Sequence, residues 1–200
     1  YCKISEVKIP NSVKKINNNA FFNCNGLTSI YIPASVQELA GDALSACYSL
    51  ETITVDQDNQ YYVSEDNVLF DKNKTILYLY PINKGGEYTI PNTVTELGVA
   101  FDSNKYTTSI TIPKSVVKMT YYSFGSCSGL KTLICLADVP PTINKYTFYN
   151  TDKSITIYGP AASIEAYKSA DYWSEFTNFQ AIAEPAKTEW RISDRTDIDV

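Results

Sequence analysis

An isoleucine-proline pair opens four stretches of this chain, at Ile9-Pro10, Ile32-Pro33, Ile90-Pro91 and Ile112-Pro113. The residues after each pair are nearly the same. Val55 and Cys135 hold the isoleucine position without the proline, and the steps Ile9 to Ile32, Ile32 to Val55 and Ile112 to Cys135 are each 23 residues. After the proline comes Ser-Val or Thr-Val (Ser12-Val13, Ser35-Val36, Thr93-Val94, Ser115-Val116), then an apolar residue (Ile16, Leu39, Leu97, Met119). A small residue then precedes an apolar one (Ala20-Phe21, Ala43-Leu44, Ala100-Phe101, Ser123-Phe124). Three residues on stands Cys24, Cys47, Asn104 or Cys127, and three further on Leu27, Leu50, Thr107 or Leu130. A fixed period of this length is the mark of a solenoid, whose coils bury their apolar faces only against one another.

The end of each unit, as in Leu27-x-x-Ile30-x-Ile32, alternates with the period of a strand that has one buried face. Proline then removes a ladder donor and turns the chain. Val36 and Leu39 are expected on the opposite wall, and Ala43-Leu44 begins an irregular turn leading to Cys47. Ile4, Val7 and Ile9 match Leu27, Ile30 and Ile32, so residues 1 to 9 read as the second half of a unit and the N-terminal end of the solenoid as uncapped.

Between Val55 and Ile90 the step grows to 35 residues. The excess reads as a hairpin insert over 56–88, with Asn67–Phe70 and Thr75–Tyr80 flanking the polar turn Asp71-Lys-Asn-Lys74. Gly85-Gly86 frees the chain to rejoin the register. A degenerate last unit runs through Cys135, Ile143, Thr147-Phe148, Thr151 and Ile155-Thr-Ile157. Pro160 then opens a helix, about 161–176, with Ile164, Tyr167 and Trp173 on its packing side, read as the C-terminal cap. The solenoid is thus expected over 1–182, with a linker and the possible start of a further domain over 183–200.

With 44% apolar and 20% charged residues the chain has the composition of a packed protein, and its net charge of −5 runs against nucleic-acid binding, which needs basic surface. No apolar run reaches the length of a spanning helix.

The recurring Ile-Pro-x-Ser-Val-x-x-Ile, Ala-Phe and Cys-x-x-Leu at this step resemble the BspA-like leucine-rich repeats of bacterial surface proteins, over about residues 1 to 182. The resemblance implies a right-handed superhelix of mostly short parallel β-strands with irregular or 3-10 turns. It also implies an exported, cell-surface or secreted, non-catalytic module for adhesion or binding of protein or glycan ligands. A structural spacer that positions neighbouring domains is the alternative. No binding residue and no cofactor transfers from the repeat consensus, because that consensus is structural.

Gly125-Ser-Cys-Ser-Gly129 has the form of a nucleophile elbow. The chain has no histidine to serve as base, and Cys127 repeats Cys24 and Cys47, so the segment reads as structural. Cys24, Cys47, Asn104 and Cys127 are expected to stack as a ladder whose short side chains hydrogen-bond an internal turn. Their parallel side chains and the odd total of five cysteines favour buried thiols over disulfides, with Cys2 out of frame and exposed. No Cys-x-x-Cys pair supports a metal site. Asp56-x-Asp58 begins like a calcium loop but has Tyr61 and Asn67 where glycine and glutamate are needed.

Two rows face outward. One is Lys8, Tyr31, Thr54, Thr89, Thr111, Ile134 and Thr156, and the other Glu6, Ser29, Thr52, Glu87, Ser109 and Thr132. Solenoids bind partners on such surfaces, and tyrosine adds apolar area and a hydroxyl at low entropic cost. Tyr31, Thr54 and Thr111 on the strands, with Tyr61 and Tyr62 in the insert, are therefore the candidate ligand-binding residues.

Overall fold

The computed structural model describes residues 4–183. Cys2 and nearly all of the linker assigned to 183–200 lie outside the described residues. The chain winds as a β-solenoid. In the first coils β1 (Lys15–Ile16) pairs in parallel with β3 (Glu38–Leu39), and β2 (Ser29–Ile32) with β4 (Thr52–Val55) in the register Ile30↔Ile53 and Ile32↔Val55. The isoleucines of β2 are buried and Ser29 and Tyr31 are exposed, as strand alternation requires.

Several coils close through a turn whose apolar residue donates its backbone N–H to the next coil. Phe21 binds the Ala43 carbonyl at 2.8 Å, Phe101 that of Ser123 at 2.8 Å and Phe124 that of Thr147 at 2.9 Å. Two residues on, the backbone is left-handed in five coils, at Asn23, Ala46, Ser103, Ser126 and Asn150, with φ between 52° and 59° in four and 61° at Ser103. Small side chains and asparagine fill this position because bulk is disfavoured there.

Residues 56–88 hold more than the single expected hairpin. β5 (Tyr62–Glu65), β6 (Val68–Asp71) and β7 (Ile76–Leu79) form an antiparallel meander, and β7 also pairs in parallel with β9 (Glu96–Leu97) as Leu77↔Leu97. Tyr80 donates its N–H to Ala100 O at 2.7 Å, the bond that Phe101 makes to Ser123. The segment Ile76–Tyr80 is therefore a coil in its own right, and β5 and β6 are the true excess.

This meander is a partition. Leu69 and Leu79 join the core of the first coils, with Ile30, Leu44 and Ile53, whereas Val68, Phe70, Leu77 and Tyr80 join the core that runs on to Trp173 and Phe176. Both faces of β6 are buried, which is why Val68-Leu69-Phe70 is a continuous apolar run without alternation.

Beyond it, β8 (Gly86–Thr89), β10 (Thr107–Ile112), β12 (Thr132–Cys135), β13 (Thr156–Gly159) and β14 (Asn178–Ala181) form one parallel sheet, while β11 (Lys118–Met119) extends the β7–β9 wall. The register Leu133↔Ile157 moves the last unit two residues from the sequence alignment. Tyr158, not Thr156, stands opposite Ile134, and Thr156 joins the other row opposite Thr132. A slip of two keeps the same face inward. It also sets Gly159 at the strand end, where Ile164 and Tyr167 pack within 3.4 to 3.7 Å of where a Cβ would lie.

The cap is shorter than the expected helix. A 3-10 turn (Ala161–Ser163) leads into α1 (Ile164–Ser169), a second 3-10 turn spans Trp173–Glu175, and the chain then adds β14 to the sheet. Tyr167 and Trp173 are buried, and each polar tip finds a carbonyl: Tyr167 Oη donates to Ala137 O at 3.1 Å and Trp173 Nε1 to Pro141 O at 2.9 Å. At the other end Val7, Ile9, Val13, Ile16 and Phe21 line an open recess of about 460 Å³.

Among the described residues Asp102 is the carboxylate that burial disturbs most, pushing its pKa up to about 6 against opposition from hydrogen bonds of Ser103 and Ser45. The folded chain therefore holds this proton more tightly than the unfolded chain, whose carboxylate titrates near about 3.9. Stability from this group is greatest below about pH 4, falls as pH rises to about 6, and stays low above. Asp102→Asn is expected to raise stability at pH 7 by on the order of 1–3 kcal/mol and to lose that advantage near about pH 4, in paired denaturation curves. An equal effect at both pH values would refute the assignment.

Candidate functional site

Tyr31 and Thr54 stand opposite each other on β2 and β4, both exposed. Tyr31 is 48% accessible, and its hydroxyl donates to Asp56 Oδ2 at 2.5 Å. That bond pushes the Tyr31 hydroxyl above its usual pKa and holds the Asp56 carboxyl below its own. The other Asp56 oxygen accepts the Asp58 N–H at 2.9 Å, an Asx turn that fixes the carboxylate at the end of β4. The pair thus presents an aromatic ring and an ionised carboxylate beside a threonine row. Asp56, which the sequence suggests only as part of a cation loop, is in fact the partner of Tyr31. Its offset carries the signal: 23 residues beyond Tyr31 is Thr54, and the next outward position is Asp56.

Thr111 lies on the other sheet, between Thr89 and Ile134 and not beside Tyr31. Tyr61 is 45% exposed in the loop before β5. Tyr62, by contrast, is a packing residue and not an accessible one: its side chain is buried, its hydroxyl accepts the Leu39 N–H at 2.8 Å, and its ring meets Tyr78 edge-on at 5.6 Å. Alternation along β5 decides this, since Tyr62 points into the first core.

The inner positions carry backbone bonds between coils. Cys47 Sγ donates to Phe21 O at 3.0 Å, Cys127 Sγ to Phe101 O at 2.9 Å and Thr151 Oγ1 to Phe124 O at 2.5 Å. Burial pushes the Cys127 thiol far above its usual pKa, which leaves it a poor nucleophile. Asn104 bonds in four directions: Nδ2 to Pro81 O and Lys84 O, and Oδ1 from the Tyr106 and Thr107 N–H groups. Asn59 does the same where the chain enters the meander, reaching Pro33 O and Val36 O and accepting from the Tyr61 and Tyr62 N–H groups.

Among the described residues no group of three or more Cys, His, Asp or Glu side chains is placed to hold a metal ion. Nor, among those residues, is any helix long and apolar enough to cross a membrane.

The profile of the BspA type leucine rich repeat region, in six copies, matches residues 1–79 and 80–181. No curated protein matches. Among solved structures, the chain is similar to a leucine rich cell surface protein from Faecalibacterium prausnitzii A2-165, with 26% identity over 88% of this chain and 53% of that one and a TM-score of 0.62. It is also similar to a leucine-rich repeat protein from Eubacterium ventriosum ATCC 27560, with 25% identity over 86% and 54% of the two chains and a TM-score of 0.58. The chain spans about half the length of each.

Proposed function

Because the chain belongs to the BspA-type leucine-rich repeat family, we propose that it is a non-catalytic module that binds protein ligands at a bacterial cell surface. The observation that carries this reading is the outward patch of Tyr31, Thr54 and Asp56. It joins an exposed ring, hydroxyls and a fixed charge on a rigid parallel sheet, the mixture that recognition surfaces use. The absence of histidine from the chain and the buried state of Cys127 weigh against catalysis. The cell-surface description of one structural relative supports the location.

Surface-captured chain, exposed to a panel of matrix proteins and glycans, is expected to retain a protein ligand. Tyr31→Ala or Tyr61→Ala should weaken that ligand by about tenfold without changing the melting temperature. Unchanged binding in both variants would remove this face as the site. Failure to bind any protein would favour the spacer reading.

A further inference from the structure

Four tyrosines gather on the turns of two adjoining coils, Tyr121 and Tyr122 on one and Tyr146 and Tyr149 on the next. The backbone holds the coils in register here, with the Tyr122 N–H on Tyr146 O at 3.2 Å and the Ser126 N–H on Tyr149 O at 2.8 Å. Ring centroids lie 5.8 Å apart for Tyr121 and Tyr146, 5.9 Å for Tyr122 and Tyr146, 5.7 Å for Tyr122 and Tyr149 and 6.4 Å for Tyr146 and Tyr149. The rings thus touch one another at the surface, Tyr121 and Tyr149 being 59% and 54% exposed. Among the described residues Tyr62 also meets Tyr78, and Tyr80 meets Tyr88, but in each of those pairs one member is buried.

The side chains that an oxidant attacks more readily than a phenol lie out of reach. Cys24, Cys47, Cys127 and Cys135 are buried, as are Trp173 and the single methionine, Met119. Susceptibility to oxidation follows exposure, so an oxidant arriving from solvent meets tyrosine first among the described residues. The buried thiols are equally unable to reach a surface phenoxyl radical and reduce it.

We propose that Tyr121 and Tyr146 form an oxidative cross-linking site, where hydrogen peroxide, acting through a haem peroxidase, joins the two rings as dityrosine. Each phenol gives up its O–H hydrogen as one electron and one proton, and the unpaired spin spreads to the ring carbons beside the oxygen. One such carbon of each ring forms the new C–C bond. The hydrogens on the joined carbons then move to the two oxygens, which restores both phenols. The peroxide takes up the two electrons and two protons and leaves as two waters. The bond forms through p-orbitals perpendicular to each ring, so it requires rings that face each other and not an edge against a face. The planes of Tyr121 and Tyr146 are inclined by 37°, whereas those of Tyr122 and Tyr149 stand at 84°. Tyr122 also faces Tyr146, at 33°, but its backbone is left-handed at φ 58° and its Cδ1 lies 3.0 Å from where a Cβ of Gly125 would stand, so its ring is held against the coil. Tyr121 is the more exposed of the two, and exposed side chains reorient in ps to ns. The product staples two coils beside the cap and closes the chain between 121 and 146, which restricts the unfolded ensemble as a disulfide does.

The test treats the full chain, folded and dilute, with a haem peroxidase and equimolar hydrogen peroxide, then reads the blue dityrosine emission and the intact mass under reducing conditions. The expected product is a monomer lighter by two hydrogens, with tryptic peptides 119–131 and 146–153 joined through Tyr121 and Tyr146. Its melting temperature is expected to rise by about 5 °C or more. Tyr121→Phe and Tyr146→Phe keep the rings and lose the phenols. Each should melt like the untreated parent, give no emission and gain no stability on treatment. Tyr31→Phe and Tyr149→Phe should cross-link as the parent does. No cross-link in the parent, cross-linking between chains only, a bond mapped to other tyrosines, or undiminished emission from Tyr121→Phe or Tyr146→Phe would each overturn the proposal.

Discussion

Asn104→Ala is expected to destabilise the chain by about 3–5 kcal/mol, measured by chemical denaturation. The Asn104 side chain is 1% exposed and satisfies four backbone groups in two coils. Its amide donates to Pro81 O at 3.2 Å and Lys84 O at 3.1 Å, and its carbonyl accepts from Tyr106 N at 2.9 Å and Thr107 N at 2.7 Å. Alanine leaves all four unpaired, and each buried orphan costs about 1–3 kcal/mol where water cannot reach it. Partial access near Lys84 and Tyr106 keeps the sum below the simple total. Asn104→Cys, which copies the residue at Cys127, keeps a weak donor but no acceptor, so it should fall between alanine and the parent. Asn104→Asp keeps the acceptor but sets a carboxylate against two carbonyl oxygens, and should cost as much as alanine at neutral pH. A loss below about 1 kcal/mol for alanine would show that water replaces these bonds.

Asn104 shows what a sequence of this kind can and cannot disclose. Its position in the slot of Cys24, Cys47 and Cys127 is legible because the 23-residue step is nearly constant there, and the hydrogen-bonding role follows from the residue types that share the slot. Asn59 makes the same four kinds of bond, yet no count reaches it, because it lies where the step breaks. The same break hides the partition. Period-two alternation reports a strand with one wet face, and β6 has none, so Val68-Leu69-Phe70 carries no sign of which side is which. Tyr62 misleads for a related reason: next to Tyr61, in a polar segment, it resembles a surface residue, and only the orientation of β5 turns it inward. The pairing of Tyr31 with Asp56 depends on a side-chain rotamer, which no register supplies. Where the coils repeat without interruption, from β8 to β12, the outward rows stand as their spacing implies, and they drift by two residues only at the cap.

Phe124→Ala should cost a similar amount, about 3–5 kcal/mol, through apolar contact in place of hydrogen bonds. Phe124 is fully buried between Phe101 and Phe148, with centroids at 5.2 and 4.9 Å and planes within 6° and 7° of parallel. Phe148 in turn meets Trp173 and Phe176 edge-on, so the stack runs without a gap from Tyr80 to the cap. Removing the central ring leaves a cavity that neither neighbour can fill, because each coil is pinned by its own backbone bonds to the next, as at Phe124 N to Thr147 O. A second variant separates volume from aromaticity. Leu44 occupies this slot in the second coil, so Phe124→Leu should cost only about 1–2 kcal/mol, the lost ring contacts and a small void. In a solenoid each coil is stabilised by its neighbours, so the alanine variant should also loosen the coils on the cap side first. Hydrogen exchange would then show earlier loss of protection in β12 and β13 than in β2 and β4. Equal costs for alanine and leucine, or uniform loss of protection along the chain, would mean that the aromatic stack is not what couples the C-terminal coils.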